Sequence, residues 1–84
     1  MQKSLYSREQ EVLCRMLRRL RRAADLTQEQ LAARLERPRS FVSRYESGEK
    51  ALELVEVRHI LRALGAAFVD FLREYDAALE SEGL

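Results

Sequence analysis

Residues 27–48 read TQEQLAARLERPRSFVSRYESG, from Thr27 to Gly48, and carry the strongest signal of architecture in the chain. Thr27 with Gln30 three residues on is a capping box: the threonine hydroxyl accepts from the third helical amide, and the glutamine side chain reaches back to the threonine amide. Leu31, Ala32 and Leu35 then fall on one face, which predicts a short helix over about Gln28–Leu35. Arg37 precedes Pro38, whose ring pushes it out of the helical region, while Pro38 itself is tolerated where a new helix starts. A tight break comes next, and then a second short helix over about Arg39–Ser47, with Val42 and Tyr45 inward and Gly48 as its left-handed cap.

Both flanks of this unit are helical in pattern. Upstream, Ser7 and Gln10 match a second capping box, and Leu13, Leu17, Leu20 and Ala24 recur at helical spacing, predicting a helix over about Arg8–Ala24. Downstream, Val57, Ile60, Leu61 and Leu64 predict a helix over about Leu54–Leu64, which Gly65 stops. Phe68, Phe71, Leu72, Tyr75 and Leu79 continue the period into a last helix over about Ala67–Glu80. With three Gly and one Pro in 84 residues, and Leu, Ala, Arg and Glu dominant, little favours strands. The expectation is an all-α chain of five helices forming a single domain over residues 1–84, its core about 8–80, because two domains of this size would each have a marginal core.

Several function classes are disfavoured by what is missing. Cys14 is the lone cysteine and His59 the lone histidine, so neither a disulfide nor a protein-built metal site is expected, and no cofactor or small-molecule ligand is indicated. Neither residue has a recognisable nucleophile or base partner, and an enzyme is not expected. No apolar run approaches the roughly 20 residues that span a bilayer, so no membrane partner is expected and the chain reads as cytoplasmic. The net charge of +1 conceals an asymmetry: up to Lys50 there are twelve Lys and Arg against seven Asp and Glu, and beyond it three against seven. Positive potential is thus concentrated on the first three helices, where a polyanion can dock.

Two short helices joined by a tight turn, the second rich in Arg and Ser, have the arrangement that lays a recognition helix in the major groove. Thr27-Gln28-Glu29-Gln30-Leu31-Ala32 followed by Arg39-Ser40-Phe41-Val42-Ser43-Arg44-Tyr45-Glu46-Ser47-Gly48 closely resembles the Cro/repressor-type (XRE-like) helix-turn-helix family. The likeness covers roughly Leu13 to Leu79. It implies a five-helix lambda-repressor-like domain with the helix-turn-helix in helices 2 and 3, and a transcriptional regulator, a repressor, that binds double-stranded DNA at an inverted repeat as a homodimer. One departure stands out, since the family's usual turn glycine is replaced by Glu36. A left-handed residue there costs about 1–2 kcal/mol without glycine, so a turn reshaped together with Pro38 is expected.

The resemblance places Arg39, Ser40, Ser43 and Arg44 where side chains reach base edges, with Arg39 and Arg44 as principal readers, because an arginine can donate two hydrogen bonds to one guanine. Gln28 opens helix 2, where free amides and the helix dipole suit a phosphate, and Arg37 and Lys50 flank the recognition helix as further phosphate contacts. Phe41 either touches a thymine methyl or packs against helix 4, the latter being preferred. The cluster Arg15, Arg18, Arg19 and Arg22 reads as a solvated face. Arg21 falls where the family often pairs an arginine with the glutamate that is here Glu46, and is read as a structural ion pair. Phe68, Phe71, Leu72, Tyr75 and Leu79 form a stripe wider than the core needs, so part of it is expected to make the dimer contact. The alternative reading is a protein-interaction module, such as an antitoxin or anti-repressor, motivated by that apolar last helix.

Overall fold

The computed structural model describes residues 3–84, with side chains from Arg8 onward. Five helices succeed one another: α1 (Lys3–Ala23), α2 (Gln28–Leu35), α3 (Arg39–Ser47), α4 (Leu54–Ala63) and α5 (Phe68–Ser81). No strand occurs among the described residues. The two helices of the central unit have the bounds expected from the sequence, and those of α4 and α5 differ from expectation by one residue. The start of α1 does not. It begins at Lys3 rather than about Arg8, so the Ser7–Gln10 pattern lies inside the helix and is not its cap; the Ser7 side chain lies outside the described residues. No Gly or Pro stands between Lys3 and Ser7 to stop the helix from extending upstream.

The capping box of α2 is formed on both sides, Gln30 N donating to Thr27 Oγ1 at 3.0 Å and Thr27 N to Gln30 Oε1 at 2.9 Å. At the other end of α2 the turn is not reshaped. Glu36 itself takes the left-handed conformation (φ 56°, ψ 42°). Its amide donates to Ala33 O at 3.1 Å and the next amide, of Arg37, to Ala32 O at 3.0 Å, which satisfies two carbonyls that the helix end leaves open. These bonds hold the strained residue in place, and Pro38, extended at ψ 152°, leads directly into α3. Gly48 makes the same kind of exit from α3 at φ 88°, where no Cβ has to be accommodated.

The core lies where all five helices converge. Leu17 of α1, Leu31 of α2, Val42 and Tyr45 of α3, and Ile60 and Leu61 of α4 have no exposed surface. Ala32 is also buried, and its small side chain lets α2 and α3 pack closely across the turn. Phe41 is buried too, its ring edge-on to Tyr45 with centroids 5.4 Å apart, so packing is its role. From α5, Phe71 enters the core at 3% exposure, and Tyr75 stacks on it at 6.4 Å while donating its hydroxyl to Glu9 O of α1 at 3.0 Å. Most of the stripe expected at a dimer contact therefore also serves the chain's own core. Phe71 is consumed inside its own chain, and Phe68, Leu72 and Tyr75 pack against the same core, because α5 must cover the apolar faces of α1 and α4. Leu79 is half-buried.

A charged pair is buried beside this core. Arg21, on the last turns of α1 and 7% exposed, makes a two-point contact with Glu46 of α3: Nε to Oε2 at 2.7 Å and Nη2 to Oε1 at 3.0 Å. Its remaining Nη1 donates to Leu26 O at 2.6 Å, in the link between α1 and α2. One guanidinium therefore ties together α1, the α1–α2 link and α3. The hydrogen bonds to Glu46 raise its pKa, outweighing the opposing effect of burial. Close by, burial pushes the Cys14 thiol up to about 11 from its ordinary 9, with the charge of Glu46 adding to the shift, and burial likewise raises the Tyr45 phenol.

This packing has three measurable consequences. Glu36→Gly removes the left-handed strain but loosens the unfolded chain, and is expected to raise stability by about 1 kcal/mol in urea denaturation; an unchanged or lower midpoint contradicts the strain. Replacing either Arg21 by Met or Glu46 by Leu strands a buried charge and should cost about 3–5 kcal/mol, while the double replacement should cost clearly less than the two singles together. Cys14 and Tyr45 hold their protons more tightly folded than unfolded, so the stability they contribute is complete below pH 9 and declines as pH rises toward 11. Thermal melts across that range should show the decline, and Cys14→Ala should flatten its first part.

Candidate nucleic-acid interface

The second helix of the unit is amphipathic in a way that fixes what it can offer. Phe41, Val42 and Tyr45 face the core, so the helical period turns Arg39, Ser40, Ser43 and Arg44 the other way. Arg39, Ser40 and Arg44 are exposed and Ser43 is half-buried. The two serines differ in freedom, because Ser43 Oγ donates to Ser40 O at 3.2 Å, leaving its own lone pairs as acceptors. The Arg44 guanidinium has no hydrogen-bond or ionic partner among the described residues, and its carbonyl accepts from Ser47 Oγ at 3.0 Å. Along one side of α3 the protein thus presents two long cationic donors and small hydroxyl groups between them.

Gln28 stands at the first position of α2 but is not simply turned outward. Its Nε2 donates to Glu46 Oε1 at 3.0 Å, and its Oε1 accepts from Arg39 Nη2 at 3.4 Å. A hydrogen-bonded chain therefore runs from Arg21 through Glu46 and Gln28 to Arg39, from the buried centre to the exposed start of α3. The carboxamide lends one face to the ion pair and the other to a candidate base-reading arginine. The Gln28 carboxamide, expected on a phosphate, is thus engaged within the chain. Nothing in the sequence signals this bridge; it needs the α2–α3 crossing.

Both flanking cations approach the same aromatic ring. The Arg37 guanidinium lies 4.0 Å from the Phe41 centroid, and Lys50 Nζ lies 5.8 Å from it. Stacking holds Arg37 beside the start of α3 while leaving its charge in solvent. Lys50 Nζ also lies 3.6 Å from Glu56 Oε2 and 3.4 Å from Ala51 O, so it is held at the end of the recognition helix by α4. Glu56 in turn accepts from the Glu53 amide at 2.9 Å, at the start of α4. The structure brings Gln28, Arg37, Arg39, Ser40, Ser43, Arg44 and Lys50 onto or beside one helix.

Other sequence-singled residues lie elsewhere. Arg15 pairs with Glu82 at 3.3 Å, and Arg18, Arg19 and Arg22 are exposed on α1. His59 is exposed, beside Arg34, Glu36 and Arg62 in an open cleft between α2 and α4. Arg34 Nη1 donates to Ala63 O at 3.0 Å and so closes the end of α4, a contact the sequence pattern does not suggest. No cluster of three or more potential metal ligands occurs among the described residues, and no described helix is long and apolar enough to cross a membrane.

Comparison with known proteins agrees with this geometry. The family described as a helix-turn-helix domain matches residues 12–75, from within α1 to the middle of α5. Among solved structures, an XRE-family like protein from Pseudomonas syringae pv. tomato str. DC3000 superposes with a TM-score of 0.84 at 36% sequence identity, over 90% of this chain and 93% of that one. No curated protein matches. With the family match spanning most of the chain and the recognition unit intact, the protein belongs to the XRE-like helix-turn-helix family of DNA-binding regulators.

Proposed function

We propose that this chain is a sequence-specific repressor that reads an inverted repeat in double-stranded DNA as a homodimer, with α3 in the major groove. The observation that carries this reading is the outward face of α3, where Arg39 and Arg44 are exposed beside Ser40 and Ser43 while the opposite face is locked into the core. Arginine donates to two acceptors of guanine at once, and each such pair is worth about 1–3 kcal/mol of discrimination. Arg37, Lys50 and the α2 amides at Gln28 neutralise phosphates and set the register. A domain bound at a promoter occludes it, which makes repression the simplest output. The reading as an antitoxin or anti-repressor loses its motive, since the apolar stripe of α5 is largely taken up by the chain's own core.

Selection of bound sites from a random duplex pool tests the reading directly; an enriched palindrome with half-sites one helical turn apart is the expected result. On that selected site Arg44→Ala should lose about 1–3 kcal/mol while non-specific binding weakens much less. Arg37→Ala should weaken all duplexes alike and lower the salt slope by about 0.9. Equal loss for Arg44→Ala on every sequence, or no enrichment at all, contradicts the proposal.

A further inference from the structure

Charge on this chain is segregated beyond what α3 uses. α1 turns Arg21 toward α3 and Leu13 and Leu17 into the core, so the helical period brings Arg15, Arg18, Arg19 and Arg22 together on the solvent side. These arginines line an open groove of about 270 Å³. Each stands three or four residues from two of the others, an arrangement of like charges that disfavours the helix carrying it. Arg18, Arg19 and Arg22 have no side-chain partner among the described residues, whereas Arg15 shares Glu82 with Arg8, at 3.3 and 2.6 Å. The outer face of α5 has the opposite sign. Phe71 points to the core, while Asp70, Glu74, Asp76 and Glu80 are exposed and have no ionic partner among the described residues, with Arg73 the one cation in that stretch.

We propose that the α1 arginine face of one copy docks on the acidic α5 face of another copy bound at a neighbouring site on the same DNA. The inference rests on the DNA-binding reading above and adds to it cooperativity between adjacent sites. Two observations select the occupant. Within the chain, Glu82 at the end of α5 is already held between Arg8 and Arg15, so α1 arginines take an α5 carboxylate where one is within reach. The second is the match of the two faces. Arg15 to Arg22 spans about 10 Å of helix and Asp70 to Glu80 about 15 Å. Arg15 and Arg19, Arg18 and Arg22, Asp70 and Glu74, and Asp76 and Glu80 are all spaced by one turn, so two helices laid side by side set cations against carboxylates in register. A DNA backbone would neutralise the arginines but leave the acidic face unpaired; a second copy satisfies both.

Magnitude decides where such a contact shows itself. Exposed ion pairs are individually weak and are screened by salt, so free copies are not driven together by these faces at ordinary concentrations. Two copies held side by side on one duplex meet at a high effective concentration, and there a weak contact is read as cooperative filling. Because the two faces are unlike, a docked row keeps a basic face free at one end and an acidic face at the other, so the contact can repeat from copy to copy.

The test compares binding of the full chain to duplexes carrying one selected site or two, with the spacing between the two varied over a helical turn. At low salt and a favoured spacing the second site should fill about tenfold more tightly than the first, and high salt should remove the advantage. Arg18→Glu combined with Arg22→Glu should abolish the advantage with an unchanged helical circular dichroism spectrum, and so should Asp76→Arg combined with Glu80→Arg. Joining all four substitutions in one chain exchanges the charges across the contact and should restore it. A wild type with no advantage at any spacing, or a fourfold variant that does not regain it, overturns the proposed contact and leaves the DNA-binding reading intact. An advantage that survives Arg18→Glu with Arg22→Glu, while single-site binding falls, places those arginines on the DNA and also overturns it. A wild type that binds no single site overturns both.

Discussion

The position of α3 depends on the pair between Arg21 and Glu46. A short helix of nine residues has little intrinsic stability, so its orientation has to come from what it packs against. Val42 and Tyr45 supply the apolar part, but apolar contact is non-directional and tolerates sliding. The two parallel bonds from the guanidinium to the carboxylate, at 2.7 and 3.0 Å, fix both distance and rotation, and the third donor on Leu26 O fixes α1 against the link that starts α2. Taking both charges out of water is costly, and the pair persists because each of the three guanidinium nitrogens donates to a protein oxygen. The result is geometrical definition of the helix that carries the exposed arginines.

The same carboxylate reaches the surface through Gln28. By accepting from both Arg21 and Gln28, Glu46 couples a buried strut to the entry of α2, and Gln28 passes that constraint to Arg39. A surface arginine normally samples many rotamers, and holding it in place before binding reduces the entropy lost when it docks. Arg37, stacked on Phe41, is steadied in another way, by an aromatic ring that belongs to the core. Arg44 has no such tether. The recognition face is therefore graded, with Arg39 tethered at its start and Arg44 without a side-chain partner in its middle.

Strain in the turn is accommodated nearby. Glu36 adopts a backbone conformation that suits glycine better, and the chain tolerates it because two amide–carbonyl bonds close the end of α2 and the Pro38 ring restricts the backbone entering α3. The geometry of the turn is set by the closeness of α2 and α3 across Ala32 and Leu31, and the residue in the turn adapts to it. This is why substitution of the usual glycine leaves the helix-turn-helix recognisable.

The five helices, the caps at Thr27 and Gly48, the inward faces of α3 and α4, and the outward placement of Arg39 and Arg44 were all legible in the amino-acid order, because each depends on local spacing and on residues close in the chain. The start of α1 was not, since a Ser–Gln pattern suited to a cap is equally tolerated inside a helix. Nor was the division of the α5 apolar stripe between core and surface, or the bridge that Gln28 makes between Glu46 and Arg39. Helix packing in three dimensions settled these, for one reason: a side chain's partner across a helix crossing depends on the angle and separation of the two axes. Those emerge only when Phe71, Tyr45 and the Arg21–Glu46 pair compete for the same interior volume.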